Sequence, residues 1–260
     1  MKTLFSRRAA CSEGTALMVV AALLISLIVT KRSESYMNPV LTPFVVAMAV
    51  VFLFWGFSRI LRATPTRTRS YAAAATLGMI AVLLAGPAIF GIMPESPADR
   101  LEQNEGGEVT PFGIDFEHIQ GDGIDDNKRQ VVIGSNNWYT TIFKLTKYVD
   151  KYAGYEVYIT GFVSFYDDSL KRPDFTISRY LMICCVNDMS PFGLPCILSD
   201  GQEYGEYRWI AVKGKLEVGD YHGMKRPVLK VEEIRQAAKT VVYVYPLSLI
   251  HISEPTRRTP

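Results

Sequence analysis

The strongest constraint in this sequence is the concentration of three long apolar segments within its first 94 residues. They cover residues 15–30, 40–57 and 71–93, and none of them contains a charged side chain. A helix of about 20 residues crosses the hydrocarbon core of a bilayer. We therefore predict three transmembrane helices in the region 1–94, surrounded by membrane lipid, and a soluble part that follows them.

The first segment, 15–30, is shorter than a typical span, so a cleaved signal peptide is the alternative interpretation. Lys31 and Arg32 follow it directly, and no Ala-x-Ala-like cleavage site lies near its end. These features favour a helix that is retained in the mature protein.

Basic residues around the segments predict the orientation of the chain. Three of them precede the first segment and four lie between the second and the third, whereas only Lys31 and Arg32 lie between the first and the second. Loops rich in Lys and Arg remain in the cytoplasm. We therefore expect a multi-pass protein of the cell membrane with a cytoplasmic N-terminus and an extracytoplasmic soluble domain.

Charge divides the chain at the same place. Residues 1–94 contain nine Lys and Arg against two Asp and Glu, whereas residues 95–246 contain 17 against 23. A domain that binds nucleic acid normally carries an excess of basic side chains on one face. The acidic soluble part therefore argues against nucleic acid as a partner.

Two segments flank the predicted soluble domain. Residues 95–129 are polar, rich in glycine and acidic side chains, and predict a linker. The carboxylates of this segment lack calcium-loop spacing, because Ile124 lies where a second oxygen ligand belongs if Asp122 begins the loop. Residues 247–260 resemble the translation of a sequencing adapter, and we treat this tail as non-native.

Residues 130–246 combine one helical pattern with several strand patterns. Trp138, Ile142, Leu145 and Val149 recur at helical spacing and predict a helix over residues 137–151. Glycines at positions 161 and 214 are typical of a bulge or bend within a strand. Five short strands are predicted over residues 155–166, 175–186, 194–198, 208–218 and 227–234.

This pattern predicts an all-β, OB-like small barrel (the oligonucleotide/oligosaccharide-binding type) over residues 130–246, with one preceding helix. A β-sandwich is the alternative. Because a fold does not determine a function, the barrel by itself names no ligand.

Three cysteines, Cys184, Cys185 and Cys196, fall in the predicted outward domain. Three interpretations remain open: a disulfide with one buried thiol, three buried reduced thiols, or a thiolate site for zinc or copper. Neighbours in a strand point to opposite faces, so we expect one of Cys184 and Cys185 to enter the barrel core. A hairpin turn near Ser190 would place Cys196 opposite one of them.

Arg179 lies within an apolar strand pattern and needs a partner if it is buried. Asp188 and Asp174 are the candidates for a structural ion pair, and a ligand clamp is the competing interpretation. The sequence contains no Ser/His/Asp, paired-carboxylate or glycine-rich phosphate pattern, so we expect a protein that is not an enzyme.

With these features in view, the chain resembles the YcgQ-like family of bacterial membrane proteins over roughly residues 16–246. Members of this family are described as subunits of a two-component permease. Their usual partner is a larger multi-helix permease in a group that has been linked to metal efflux. The resemblance rests on Tyr36–Pro39, Gly91–Pro94, Tyr155–Val163, Phe175–Asp188 and Arg208–Gly214.

This resemblance implies an accessory subunit of a permease, with an outward-facing domain that binds the transported species or gates its path. The family's Arg…Cys-Cys…Asp pattern falls on Arg179, Cys184, Cys185 and Asp188 of this chain. The family has no established catalytic residues to transfer. A stand-alone extracytoplasmic metal or redox sensor and a structural envelope protein are the alternative functions.

Overall fold

The computed structural model describes residues 2–31, 33, 36–61, 101, 107–199 and 201–246, with side chains from residue 14 onward. The chain divides into two compact units, Met1–Ser96 and Pro97–Pro260. The third predicted span, 71–93, and the tail, 247–260, lie outside the described residues.

The described part of the first unit contains two helices, α1 (Lys2–Val29) and α2 (Thr42–Leu61). A 3-10 turn over Pro39–Leu41 leads directly into α2. The continuous segment Pro39–Leu61 is the one described helix that is long and apolar enough to cross a membrane, with a mean hydropathy of 2.3. The apolar part of α1, Gly14–Val29, is shorter. The described residues therefore contain one candidate span at the second predicted position and a shorter apolar helix at the first.

Glycines bring α1 and α2 close together. A Cβ atom added to Gly14 would lie 2.7 Å from the carbonyl oxygen of Gly56, and one added to Gly56 would lie 2.8 Å from the oxygen of Gly14. Small residues allow such a close approach of helix backbones in membranes. The rest of α2 exposes large apolar side chains, among them Phe44, Phe54 and Trp55. An exposed apolar surface of this size is typical of a helix that lies against lipid or another protein.

The second unit is built on an eight-stranded sheet with two short helices. Its helices are α3 (Trp138–Lys147) and α4 (Val149–Tyr152). Its strands are β1 (Ile124–Asp125), β2 (Gln130–Ile133), β3 (Glu156–Ser164), β4 (Phe175–Leu181), β5 (Ser190–Ile197), β6 (Trp209–Tyr221), β7 (Met224–Gln236) and β8 (Tyr243–Val244).

Five of these strands form a closed barrel. The strand β3 pairs with β4, and β4 pairs with β5, both antiparallel. The strand β5 pairs parallel with β7, which pairs antiparallel with β6, and β6 returns to β3. The circuit therefore closes on itself and is a barrel rather than the alternative sandwich. The predicted strand positions agree with these five elements, although the ends differ by several residues.

Aliphatic and aromatic side chains fill the barrel. Ile159, Ile177, Leu194, Val212 and Leu229, one from each barrel strand, are fully buried in a single cluster. Burial of such side chains contributes most of the free energy that stabilises a domain of this size, at about 1.5–3 kcal/mol each.

The helical segment breaks into two parts where the sequence predicts a single helix. Trp138, Ile142, Leu145 and Val149 are all buried, as their spacing predicts. Tyr148, with a φ of −122°, separates α3 from α4. The two helices connect β2 to β3, which lie parallel and adjacent, with Val131 opposite Val157. Sequence periodicity missed β2, because its four residues are too few to reveal a pattern.

Gly161 and Gly214 both occupy crowded positions in the barrel. The predicted irregularity is found at Gly214, whereas Gly161 pairs in regular register with Ile210. The pairing of β6 with β7 shifts register between Lys213 and Gly214. A Cβ atom on Gly161 would lie 2.6 Å from the carbonyl oxygen of Ser178, a distance that real Cβ atoms do not adopt. Gly161 therefore allows β3 to approach β4, where the barrel closes.

The segment predicted as a linker, 95–129, includes ordered structure from residue 107 onward. Glu108 forms a parallel bridge with Ala237 at the end of β7. The carboxylate of Asp122 accepts a hydrogen bond from Lys144 of α3, and its carbonyl oxygen accepts one from Thr141. The acidic side chains of this part therefore hold the segment against the domain.

Candidate metal site and barrel groove

The turn between β4 and β5 is organised around one carboxylate. One oxygen of Asp188 accepts a hydrogen bond from the backbone amide of Ile183 at 2.9 Å. The other oxygen accepts from the amides of Cys184 at 2.7 Å and Cys185 at 3.2 Å. Three converging amides hold a carboxylate firmly and favour its ionised form. Asp188 therefore fixes the backbone on which the two cysteines lie.

This turn corrects the expectation that Cys184 and Cys185 belong to a strand. The strand β4 ends at Leu181, five residues earlier than the apolar pattern up to Val186 suggests. Because Asp188 takes up the amides of residues 183–185, these amides are not part of a sheet ladder. Cys184 is exposed and Cys185 half-buried, so neither side chain enters the barrel core.

The two thiols and the carboxylate form a cluster of possible metal ligands. The sulfur atoms of Cys184 and Cys185 lie 3.7 Å apart. One ligand atom from each of Cys184, Cys185 and Asp188 lies within 4.8 Å of the other two. The cluster lies at the surface, so an ion could enter it from solvent without rearrangement of the core.

The charge of Asp188 controls the protonation of its neighbours. Hydrogen bonds from the Cys184 thiol and from three backbone amides hold the pKa of Asp188 below its ordinary 3.8, at about 2. The same thiol–carboxylate contact, together with the contact to Cys185, raises the pKa of Cys184 to about 11. At neutral pH the carboxylate is therefore ionised and the Cys184 thiol keeps its proton. A metal ion that binds there must displace that proton.

Cys196 lies apart from this cluster, contrary to the expectation that it faces one of the other cysteines. In the β4–β5 hairpin, Leu181 pairs with Ser190 and Cys196 pairs with Phe175, at the far end. Six residues of extended strand between Ser190 and Cys196 span about 20 Å. Cys196 is fully buried, and burial raises the pKa of its thiol. It is a core side chain, and all three cysteines of the domain are free thiols.

Arg179 is fully buried, and within the part of the chain that the structure describes it forms no ion pair with Asp188 or Asp174, which corrects the prediction. Its guanidinium donates to the carbonyl oxygen of Thr160 at 3.1 Å, to the hydroxyl of Ser135 at 2.7 Å and to the hydroxyl of Thr240 at 3.3 Å. Asp188 binds the cysteine turn, and Asp174 accepts from the amide of Leu198. Both predicted partners are therefore engaged elsewhere.

Aromatic rings complete the surroundings of Arg179. Its guanidinium carbon lies 4.7 Å from the centre of a Trp138 ring and 5.6 Å from one of Trp209. Burial lowers the pKa of Arg179 to about 9, and the charge of Glu117 opposes this shift only in part. The side chain is therefore still a cation at neutral pH, and it joins β4 to β3, to α3 and to the segment before β8.

A second concave site lies on the barrel, and the sequence did not indicate it. This barrel groove has a volume of about 270 Å³ and lies over β4 and β5. Its residues come from five separate segments, so no local motif marks them. Those that bear on its chemistry are Tyr166, Asp167, Asp168, Thr176, Tyr221 and Arg226.

A known family model covers the barrel domain. The DUF1980 C-terminal domain matches residues 117–246, which include the cysteine turn, Arg179 and the whole barrel. The chain belongs to the DUF1980 family. No curated protein and no solved structure gives a match.

Proposed function

We propose that this DUF1980 protein is a membrane-anchored, non-enzymatic accessory subunit whose barrel binds a zinc ion and passes it to a partner permease. The observation that carries the proposal is the surface cluster of Cys184, Cys185 and Asp188, with two sulfur atoms 3.7 Å apart.

The spacing of the sulfur atoms favours a tetrahedral ion. With Zn–S bonds of about 2.3 Å, two sulfurs in a tetrahedral zinc centre lie roughly 3.8 Å apart. The separation of 3.7 Å between Cys184 and Cys185 matches this edge. A linear copper site would instead need the sulfurs on opposite sides of the ion, farther apart than the 3.7 Å found here. Zinc is therefore the preferred ion of the two that the sequence suggests.

The ligand set suits transfer rather than permanent storage. Structural zinc sites use four protein ligands, whereas this turn offers two thiols and one carboxylate. The fourth position would be held by water or by a ligand from another protein. An exposed ion with one open position can exchange with a partner, and this is what a subunit that delivers a metal requires.

The membrane arrangement supports the same proposal. The described helix Pro39–Leu61 could anchor the chain. We take the arrangement to be three spans, 15–30, 40–57 and 71–93, with the barrel outside the cytoplasm, because the basic loops predict that topology. None of these segments carries a charged residue that could form an ion path, so a multi-helix permease of the kind implied by the resemblance would supply it.

We also assign the barrel to the OB type. Three consecutive antiparallel strands, β3, β4 and β5, are followed by a hairpin of β6 and β7 that closes the circuit through β5 and β3. A five-stranded Greek-key barrel of this kind is the arrangement of OB folds.

Zinc binding to the full chain tests the metal part of the proposal. The protein is purified in mild detergent, freed of metal with a chelator, and titrated with zinc against a chromophoric competitor. We expect one zinc ion per chain. We expect Cys184→Ser and Cys185→Ser each to weaken binding by about 100-fold or more, because each removes one of three protein ligands.

Two matched variants separate ligation from folding. Cys196→Ala removes the buried thiol, and Asp174→Asn alters another carboxylate that accepts a backbone amide. Both should bind zinc as the unaltered chain does. Absence of zinc binding in the unaltered chain, or equal loss in Cys196→Ala and Cys184→Ser, would overturn the metal assignment.

Affinity purification of the tagged full chain from its own membranes tests the partner. In mild detergent we expect a multi-helix membrane protein to be recovered with it in a fixed ratio. Recovery of the chain alone would contradict the accessory-subunit role. If that chain still bound zinc, a stand-alone metal sensor would replace the proposal.

A further inference from the structure

The barrel groove lies where OB-type barrels hold their ligands. Those barrels bind along their second and third strands, between the loop that joins strands one and two and the loop that joins strands four and five. Here the second and third barrel strands are β4 and β5. The two loops are residues 165–174 and the turn from Tyr221 to Met224. Residues of all four segments or of their immediate ends line the groove.

Two polar atoms in the groove wall lack a hydrogen-bond partner among the described residues. They are the hydroxyl oxygen of Thr176 and Nε of Arg226, and both are buried. The large majority of buried polar side-chain atoms in proteins are paired, so two unpaired atoms in one groove need an explanation. A ligand that offers hydroxyl groups would supply both partners, because a hydroxyl can donate and accept.

Charge in the groove argues against an anionic ligand. Nη1 of Arg226 contacts the carboxylate of Asp167 at 2.5 Å, and Nη2 donates to the hydroxyl of Ser169 at 2.8 Å. Asp167 thus neutralises Arg226, the one basic side chain among the described residues that line the groove, and Asp168 adds a further carboxylate. A polyphosphate chain would meet net repulsion there, which disfavours an oligonucleotide.

Aromatic and proline side chains supply flat apolar walls. The ring of Tyr166 is 73% exposed at the groove, and Phe192 and Tyr221 line it further along. Such rings pack against the apolar faces of a ligand, while a few polar groups fix its orientation. Because the two unpaired atoms are covered, a ligand reaches them only after a small movement of neighbouring side chains.

From the position, the unpaired polar atoms and the charge, we propose that the barrel groove binds an uncharged oligosaccharide. The sugar rings would stack on Tyr166, and their hydroxyls would pair with Thr176 and Arg226. This site does not include the cysteine turn and does not depend on zinc.

Binding to the full chain in lipid nanodiscs tests the inference. Nanodiscs are used because maltoside detergents themselves present sugar rings. The probes are chitohexaose, cellohexaose and, as the alternative class, a 15-mer of deoxythymidine, each followed by saturation-transfer difference NMR and titration. We expect saturable binding of at least one hexasaccharide and none of the 15-mer. The inference would be overturned if neither hexasaccharide showed saturable binding at concentrations up to about 10 mM, which is tenfold above a dissociation constant of about 1 mM. Binding of the 15-mer in place of the hexasaccharides would also overturn it.

Three variants locate the site. Tyr166→Ala should weaken hexasaccharide binding by about tenfold through loss of the stacked ring. Thr176→Val, which keeps the shape of the side chain, should weaken it by about two- to tenfold through loss of one hydrogen bond. Tyr148→Ala removes another exposed tyrosine, one that lies outside the groove, and should leave binding unchanged. Equal loss in Tyr148→Ala and Tyr166→Ala would contradict the assignment.

Discussion

The guanidinium carbon of Arg179 lies 4.7 Å from the centre of a Trp138 ring, and both side chains are fully buried. A buried cation normally requires a carboxylate, because the loss of hydration is costly. Here one carbonyl oxygen, two hydroxyls and the faces of two indoles take that role. Cation–π contacts become stronger where water is excluded, so polar and aromatic contacts, together with the charge of Glu117, hold this cation in the barrel.

Replacement of Arg179 by Ala should destabilise the barrel domain by about 3–5 kcal/mol. The variant creates a cavity and leaves the oxygens of Ser135, Thr160 and Thr240 without their donor. Arg179→Lys should restore little of this stability, since one ammonium does not reach all three acceptors. Thermal unfolding followed by tryptophan fluorescence measures the effect.

Arg129 provides the matched control for that experiment. It also lies over an aromatic ring, that of Tyr155 at 5.3 Å, and donates to the carbonyl oxygen of Ala153 at 3.2 Å, but its side chain is exposed. Arg129→Ala should cost less than about 1 kcal/mol. Similar losses in both variants would show that burial does not account for the role of Arg179.

The sequence identified Arg179 as a side chain that needs partners but named the wrong ones. Its partners lie between 19 and 61 positions away along the chain. Residue spacing carries no information about such contacts. The same limit applies to the barrel groove. Thr176 and Arg226 line it together only because β4 and β7 both pair with β5.

Elements with local signals were easier to predict. The spacing of Trp138, Ile142 and Leu145 marked the buried face of α3, and the five barrel strands were found in order. The cysteine turn was mistaken for strand because residues 182–186 are mostly apolar. The carboxylate of Asp188 overrides this preference for strand because it accepts hydrogen bonds from three backbone amides. That effect depends on backbone geometry rather than on composition.

Replacement of Gly161 by Ala should weaken the barrel at its closure. The new Cβ would lie 2.6 Å from the carbonyl oxygen of Ser178 and 3.1 Å from the Trp138 ring, so the β3–β4 pairing must shift. We expect a loss of about 1–3 kcal/mol in unfolding free energy, as for other overpacked sites. Gly205→Ala is the control, because nothing lies within 4 Å of its added Cβ. A neutral Gly161→Ala would disprove the close approach of the two strands.

Thiol labelling should separate the three cysteines of the domain into two classes. Cys184 and Cys185 lie at the surface and should react with iodoacetamide in the folded protein, and Cys184 should react faster as the pH approaches its pKa of about 11. Cys196 is fully buried and should react only when the barrel unfolds. Peptide mass spectrometry after timed labelling gives each rate. Labelling of Cys196 as fast as that of Cys184 would contradict its place in the core.

Acid should weaken the attachment of residues 107–129 to the barrel through Asp122. Partial burial raises the pKa of this carboxyl, but hydrogen bonds from Lys144 and from the amide of Ile124 outweigh it and hold the pKa below the ordinary 3.8. Because the pKa of Asp122 is lower in the folded protein than in the unfolded chain, the ionised carboxylate stabilises the fold. This stabilisation is complete above about pH 4 and is lost as the pH falls through the folded pKa. The side chains of Asp122 and Lys144 are both about two-fifths exposed, so the ion pair stabilises the fold by about 1 kcal/mol or less.

Asp122→Asn should therefore be less stable than the unaltered protein at pH 6, and the difference should shrink below pH 4, as measured by chemical unfolding at a series of pH values. Lys144→Met should show the same narrowing, whereas a difference that stays constant down to pH 2 would exclude the ion pair as its cause.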